Sequence, residues 1–439
     1  MIRSISLSFL FSFLFLWSSA QPAYLPFEQV RRYIKLQVPN RYDSALKILT
    51  NRLGAELHYL YPLYQAIGWE QKFKAEMGEK TYYARFAQLL AFAGDYNTAI
   101  AYMAKSYDTL TAPAILLIND SIKNIKSVQY TSAKEAILSN ARHYRVIMIN
   151  ESASKPVHRA FTYSLLEDLY KEGYRYLAMD ALNNFSNKCL DSLNVFTGYL
   201  TNEPVAGELV RKALKLGYIL VSYEDTLALS HTISQRDSVQ AVNLAQVIQK
   251  DPAAKILVHA GYRHINEEKT RDHIPMGWWF HKLTGIDPFT IDQTGMTEGS
   301  EFEYGRLFYQ YFNTKFTISE PSVLFRNKRP FNPLEEKGYD LVVMHPATRY
   351  QHYRPEWLSL GGERKPVLIQ PTEKLLFFVQ AYYENEYDPE TINFRVPADQ
   401  TYLPNREGYY GLYLRKGKYK IVLRDISYKI LSVKFLEVE

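Results

Sequence analysis

The chain has 439 residues, enough for about two or three domains, and its 47% hydrophobic content is sufficient for several buried cores. The formal net charge of +6 is small for this length and no block of Lys or Arg carries it, which argues against a nucleic-acid partner. A single cysteine, Cys189, excludes an internal disulfide framework, and we expect its thiol to be buried.

The first 20 residues have the pattern of a secretory signal peptide. Arg3 supplies a basic start, residues 5 to 17 are apolar, and residues 18 to 20 (Ser-Ser-Ala) resemble a cleavage site. The apolar segment is too short to span a bilayer. The sequence therefore predicts an exported chain, periplasmic or extracellular, that has no transmembrane span once the signal peptide is removed.

Residues 21 to 140 are predicted to be helical. Apolar residues recur at helical spacing on both sides of Gly94-Asp95, which resembles the helix-turn-helix of a tetratricopeptide repeat. Only one such unit is visible, whereas a solenoid needs about three repeats for stability. An ordinary helical hairpin packed on the next domain is therefore an equally good interpretation. This helical region is also the candidate surface for a protein partner.

Residues 141 to 360 are predicted to form an α/β domain. Apolar segments at residues 146 to 149, 176 to 179, 219 to 221, and 256 to 258 alternate with helical patterns long enough to be crossovers. This alternation predicts a parallel sheet covered by helices on both faces, a three-layer core. Residues 361 to 439 contain short strands separated by turn residues, which predicts a C-terminal antiparallel β-sandwich.

Polar side chains follow these strands or open the helix between two of them. They are Glu151, Asp180, Glu224, Arg236, His264 and, after one more apolar strand, His345. Ligands of open α/β sheets bind in the crevice beyond the carboxyl ends of the strands. We therefore expect Glu151, Asp180, Arg236 and His264 to share one cleft, with Glu224 and His345 on its margin.

The order of these motifs carries a family resemblance over about residues 145 to 350. The motifs are Asn150-Glu151, Asp180, Arg236-Asp237 and Gly261-x-x-His264. Together they resemble the erythromycin esterase-like superfamily, which also includes ChaN-like haem-uptake proteins and Tiki-type proteases. The resemblance implies hydrolysis of an ester or amide, in which Glu151 and His264 position and deprotonate water. Asp180 would orient an imidazole or an Arg, and Arg236 would stabilise the developing charge.

The sequence departs from the family pattern just after Glu151, where a His is usual and Ala153 and Ser154 stand instead. That His is the proposed general base of the esterase branch and a metal ligand of the Tiki branch. His158 and His345 are candidate substitutes, whereas strand alternation predicts that His259 points away from His264.

Two function classes therefore stay open. One is a hydrolase-like protein with a degenerate site, acting on an unknown ester or amide. The other is a non-catalytic protein that binds a small molecule such as haem or iron, a peptide or a glycan. In either class, haem or a divalent metal is a candidate cofactor.

Overall fold

The structure is a computed structural model that describes residues 26–37, 42, 52–53, 56–184, 190–228, 230–300, 303–335, 337–370, 377–403 and 410–439. The predicted signal peptide and Cys189 lie outside the described residues. Among the residues it does describe, no helix combines the length and the hydrophobicity needed to cross a bilayer.

The first part of the described chain is mainly helical. Its helices are α1 (Pro26–Ile34), α2 (Tyr61–Gly68), α3 (Glu70–Met77), α4 (Glu79–Phe92), α5 (Tyr96–Ala104), α6 (Ala112–Asn124) and α7 (Ala133–Ala141), with a small hairpin of β1 (Arg52–Leu53) and β2 (Glu56–Leu57). Helices α4 and α5 form the helical hairpin expected around Gly94. Asp95 caps α5 by accepting a 3.1 Å hydrogen bond from the Thr98 amide.

Gly94 is required at that turn for two reasons. Its φ of +78° lies in the left-handed region. A Cβ at this position would also stand 2.1 Å from the carbonyl oxygen of Gln400, a residue near the C-terminus of the chain. The helical hairpin is therefore packed directly against the C-terminal β region.

A nine-stranded sheet forms the centre of the molecule. Its strands are β3 (Val128–Ser132), β4 (Val146–Glu151), β5 (Tyr176–Met179), β6 (Ile219–Ser222), β7 (Ile256–Gly261), β8 (Phe289–Met296), β9 (Ser322–Arg326), β10 (Arg329–Pro330) and β11 (Leu341–Met344). The spatial order is β6-β5-β7-β4-β8-β11-β9-β10, and β3 pairs with β9. The pairs from β6 to β11 are parallel and those made by β9 are antiparallel. The predicted α/β class is confirmed, with an antiparallel edge added.

Helices cover both faces of this sheet. They are α8 (Val157–Lys171), α9 (Pro204–Leu216), α10 (Ile233–Lys250), α11 (Met276–Thr284) and α12 (Glu303–Phe316). Along β4, Ile147 and Ile149 pack in the cluster that contains Leu165 of α8, whereas Val146 and Met148 pack in the cluster of α10 and α11. Because strand side chains alternate, this parity decides on which face each following polar residue lies.

The C-terminal part is antiparallel. Its strands are β12 (Tyr350–Gln351), β13 (Arg354–Pro355), β14 (Lys365–Ile369), β15 (Phe378–Tyr383), β16 (Asp399–Tyr402), β17 (Tyr410–Leu414), β18 (Gly417–Arg424) and β19 (Ile430–Val438). Strands β14 and β17 form one sheet, and β16-β15-β18-β19 form another. Val379, Leu412 and Ile421 from the two sheets share one buried apolar cluster. This arrangement agrees with the antiparallel β region expected from the sequence.

Candidate functional site

Glu151 ends β4 as a buried ion pair. Arg159 of α8 donates to both carboxylate oxygens, from Nε at 2.7 Å and from Nη2 at 2.8 Å, and also reaches Glu203 at 3.1 Å. Burial acts to raise the pKa of Glu151, but the charges of Arg159 and His259 outweigh it and lower that pKa to about 2. Glu151 is therefore ionised and fully engaged at neutral pH, which does not suit a general base.

His259 is the imidazole beside Glu151. Strands β4 and β7 pair Ile149 with His259, and Glu151 follows Ile149 by two residues, so both polar side chains lie on the same face. His259 Nε2 lies 2.9 Å from Glu151 Oε2 and its Nδ1 lies 3.1 Å from Thr162 Oγ1. Strand alternation predicts that His259 points away from His264, but His264 lies beyond the strand in a 3₁₀ turn, where alternation no longer applies.

Asp180 follows β5 on the other side of β7. Its Oδ2 accepts a 2.9 Å hydrogen bond from the Gly261 amide, whereas its Oδ1 is buried with no hydrogen-bond partner among the described residues. Burial and the nearby charge of Glu151 raise the pKa of Asp180. A Cβ built on Gly261 would stand 3.4 Å from Asp180 Oδ2 and 3.8 Å from His264 Cδ2. Asp180 and His264 therefore flank the same glycine.

His264 belongs to a cluster centred on Asp237, a buried residue of α10. Asp237 Oδ1 pairs with His264 Nδ1 at 2.5 Å, and its Oδ2 pairs with His273 Nε2 at 2.9 Å. The amide of Met276 donates to the same Oδ2 at 3.1 Å. We call Asp237, His264 and His273 the Asp237 cluster. His273 lies in a loop with no motif, and Asp237 enters the sequence motifs only as the residue that follows Arg236.

Arg236 and Glu224 form a pair of their own. Arg236 Nε donates to Glu224 Oε1 at 2.8 Å, Nη2 contacts the other oxygen, and Gln240 donates to Oε1 at 3.0 Å. Hydrogen bonding to Glu224 raises the pKa of Arg236 further above its usual value. Asp180 and Glu224 line the same cleft, which has a volume of about 400 Å³ and also includes Tyr199. Arg236 thus contributes charge near Asp180 while its donors are largely committed to Glu224.

His158 and His345 form a pair near the end of β4. Their ring centroids are 5.3 Å apart, and both residues are buried. His158 Nδ1 accepts from the Ser152 amide at 2.9 Å, and His345 Nε2 lies 3.0 Å from Gln293 Oε1. Burial lowers the pKa of both, that of His345 to about 3, so both rings are neutral. Neither ring hydrogen-bonds to Glu151, Asp180 or His264 in the described chain.

The positions where the resemblance expects a His line the floor of a groove below α4. Ala153, Ser154 and Tyr262 border this groove of about 580 Å³, and Arg85 faces them from α4. Tyr262 has a φ of +41°, a left-handed conformation that is rare for a residue other than glycine. This groove and the cleft beside Asp180 both lie at the carboxyl edge of the sheet.

Because side chains alternate along the strands, the predicted site residues are divided between the two faces of the sheet. Glu151 is buried on the α8 face with His259, while Asp180, Glu224, Arg236 and His264 gather near the α10 face. Asp180 and His264 are adjacent, and Glu151 remains close enough for its charge to act on Asp180.

No protein-family model matches the chain, and no curated protein matches it. A solved structure described as "Bacterial protein toxins" aligns with 60% of this chain at 12% sequence identity and a TM-score of 0.30. The alignment spans about half of that chain, 52%. A likeness this weak carries no argument about fold or function. The resemblance to the erythromycin esterase-like superfamily therefore remains an expectation from the sequence motifs.

Proposed function

We propose that this protein is an exported hydrolase that cleaves an ester or amide at the carboxyl edge of its parallel sheet. The pairing of Asp237 with His264 carries the proposal. A buried carboxylate that holds Nδ1 of an imidazole fixes the orientation and tautomer of the ring, while Nε2 stays available for proton transfer. The Cδ2 edge of His264, next to Nε2, faces Gly261 and Asp180. That arrangement suits a general base beside a reacting carbonyl.

The reaction follows the ordinary course of base-assisted hydrolysis. His264 Nε2 takes a proton from water while the water oxygen forms a bond to the carbonyl carbon. The bond from that carbon to the leaving oxygen or nitrogen then breaks, and the proton passes from His264 to the leaving group. Asp180 lies beside His264, and the positive charge of Arg236 near Asp180 stabilises the carbonyl oxygen as negative charge develops there.

Glu151 and Arg236 take supporting roles in this scheme. Glu151 is held by Arg159 and His259, so it stabilises the end of β4 rather than activating water. Arg236 is held by Glu224 and supplies positive charge at the cleft. These assignments differ from those implied by the family resemblance, in which Glu151 handles the proton.

Binding of haem is the second candidate, because His345 borders a cavity of about 430 Å³ lined in part by Phe161 and Trp357. His345 Nδ1 also has no hydrogen-bond partner among the described residues. Ligation of haem iron would nevertheless require this fully buried ring to become accessible next to its bond with Gln293. The geometry favours hydrolysis, whereas a Soret band on addition of haem would favour the haem-binding function.

The test is a panel of chromogenic esters and anilides of varied acyl size, with wild type, His264→Ala and Asp237→Asn. His281→Ala is the matched control, because His281 is an exposed imidazole on α11 that pairs with Asp287 outside the cleft. We expect both site variants to lower kcat/KM by about 10²- to 10⁴-fold, the scale for losing an acid–base group, and the control to match wild type. A wild type that is inactive on the whole panel, or a fully active His264→Ala, would refute the proposal.

A further inference from the structure

We propose that the Asp237 cluster binds one divalent transition-metal ion of the zinc class, and that this ion activates the water in the hydrolysis proposed above. Asp237, His264 and His273 each offer one ligand atom, and these atoms all lie within 4.8 Å of one another. One carboxylate and two imidazoles form a donor set that zinc, cobalt and iron accept in proteins. The binding half of this inference stands alone, and the catalytic half rests on the proposed function.

The cluster needs little rearrangement to hold an ion. Asp237 already touches both rings, with its carboxylate oxygens 2.5 Å from His264 Nδ1 and 2.9 Å from His273 Nε2. A zinc ion with ligand distances of about 2.1 Å keeps its ligand atoms about 3.4 Å apart in tetrahedral geometry. The ligand atoms therefore move by roughly 1 to 1.5 Å at most. The atoms that bind zinc must be free of protons, so zinc affinity rises with pH.

The surroundings match an open site rather than a closed structural one. Asp237 is buried on α10 and is fixed by the amide of Met276, which is the kind of outer contact that orients a metal ligand. The side chains of His264 and His273 are 15% and 24% exposed, which leaves one side of the cluster accessible to water and substrate. Catalytic zinc sites keep such an open position beside three protein ligands.

Asp180 completes the arrangement on the open side. It flanks Gly261 together with His264, and its buried Oδ1 has no hydrogen-bond partner among the described residues. With the ion bound, His264 is a ligand and Asp180 Oδ1 accepts the proton of the bound water. The hydroxide then attacks the carbonyl carbon, and the same proton passes to the leaving group as its bond breaks. Without the ion, His264 remains the base.

A second group of ligand-type residues provides the comparison. Glu267, His281 and Asp287 also place their ligand atoms within 4.8 Å of one another. The side chains of His281 and Asp287 are, however, 51% and 65% exposed. Solvated side chains of this kind gain little from binding an ion, because each must be ordered and stripped of water. This group therefore serves as the control for the Asp237 cluster.

The experiment uses the full mature chain, stripped with a chelator and titrated with zinc or cobalt salts. We expect one ion per chain by elemental analysis, and a visible absorption spectrum typical of four- or five-coordinate cobalt. His273→Gln and His264→Gln should each lower affinity at least about 100-fold, since losing a ligand costs no less than losing its outer-shell partner. His281→Gln should bind as wild type does. Circular dichroism verifies that each variant is folded.

The possible results separate this inference from the proposed function. Two results would overturn the metal site. One is a wild-type chain that takes up no stoichiometric ion, and the other is an equal loss of metal affinity in His273→Gln and His281→Gln. If the chain binds zinc through the cluster but hydrolyses nothing, the metal site is supported and the proposed hydrolase function is wrong. If the chain hydrolyses equally well after chelation, and equally well as His273→Gln, His264 remains the base and the catalytic half of this inference is wrong.

Discussion

The role of Glu151 depends on a neighbour eight residues away. Its position after a buried strand suggests a catalytic carboxylate, but Arg159, in the first turn of the next helix, binds both of its oxygens. Two fully desolvated charges in this geometry stabilise each other only as a pair. The sequence contains both residues, but nothing in their local pattern says that the Arg side chain turns back over the strand end.

Replacing Glu151 with Gln should therefore destabilise the fold. The change leaves Arg159 buried with only the Glu203 carboxylate as a partner among the described residues, and we expect a loss of about 3 to 5 kcal/mol in the free energy of unfolding at pH 7. The folded-state pKa of Glu151, about 2, lies below its ordinary value. The stability that this group provides is thus complete above about pH 4.5 and is lost as the pH falls toward 2. Urea unfolding at pH 7 and pH 3 should show a smaller difference at the lower pH.

The double variant Glu151→Gln/Arg159→Met is the control for that prediction. Removing both charges should recover part of the loss, because a buried pair is replaceable by apolar groups of similar volume, while Glu203 then loses its contact with Arg159. If Glu151→Gln instead keeps full stability and loses only hydrolysis, the carboxylate acts in catalysis and the structural role is wrong.

Glu267 should make stability depend on pH in the opposite sense. Burial, with the nearby charges of Asp340 and Asp287, raises the pKa of Glu267 to about 7 despite a hydrogen bond from Thr290. A carboxyl that holds its proton more tightly when folded stabilises the fold at low pH, and this contribution is lost between about pH 4.5 and 7. Glu267→Gln should therefore have a higher Tm than wild type at pH 8 and nearly the same Tm at pH 4.5.

Glu268→Gln is the matched control for Glu267→Gln, since Glu268 is the exposed neighbour. It should leave the pH dependence of Tm as in wild type. An identical response of the two variants would mean that Glu267 is not the group that titrates.

At the scale of the elements, the central strands were predictable because they are buried on both faces. Such strands appear as continuous apolar runs, as in β4 and β7. Helix α9 was predictable from its ends, where Pro204 begins it and Gly217 stops it with a φ of +92°. The N-terminal cap of this helix was not predictable, because it is the Glu203 side chain that accepts hydrogen bonds from two backbone amides at the start of the helix.

The elements that the sequence did not reveal depend on distant partners. Strand β16 has the sequence Asp-Gln-Thr-Tyr, which resembles a turn, yet it is buried because Arg354 neutralises Asp399. Strand β3 is an edge strand whose pattern lacks clear alternation, and it is defined only by pairing with β9. His273 likewise depends on a distant partner, since only the folding of its loop onto α10 brings it to Asp237. Local periodicity carries no information about such contacts.

Helix α10 should hold the Asp237 cluster in place through its first turn. Thr232 and Gln235 form a reciprocal capping box there, and Asp237 lies within the following turn. Thr232→Ala should lower the free energy of unfolding by about 1 kcal/mol, the usual cost of losing a cap. Affinity for cobalt should fall by less than it does in His273→Gln, because the ligands themselves remain. Thr232→Ser keeps the hydroxyl and should restore both values, whereas a Ser variant as weak as Ala would exclude the cap as the cause.

At the scale of the whole molecule, the three predicted regions share one buried interior. A single apolar cluster includes Phe27 of α1, Leu165 of α8 and Tyr428 near the C-terminus. Buried polar bonds cross the same boundaries. Tyr96 of the helical hairpin donates to Glu203 at 2.9 Å, and Glu203 in turn pairs with Arg159 beside the sheet edge. Buried hydrogen bonds and ion pairs therefore link the helical region to the candidate site.

Arg354 makes the most direct connection among these regions. Its Nη1 donates to the carbonyl oxygens of Gly94 and Gln400 at 2.9 and 2.8 Å, and its Nη2 pairs with Asp399 at 2.5 Å. One side chain thus joins the helical hairpin to the C-terminal strands. Since one apolar cluster and these polar bonds cross the boundaries between the regions, the described chain should unfold as one unit rather than as three.

Calorimetry should accordingly show a single heat-absorption peak for wild type, with Arg354→Met the sensitive variant. Losing this guanidinium leaves Asp399 and two carbonyl groups buried without their donor, which should cost about 3 to 5 kcal/mol. It should also separate the C-terminal strands as an earlier transition. Arg349→Met, at an exposed Arg five residues earlier, should behave as wild type. Two resolved peaks in wild type would show instead that the helical and C-terminal regions fold independently and that Arg354 only aligns them.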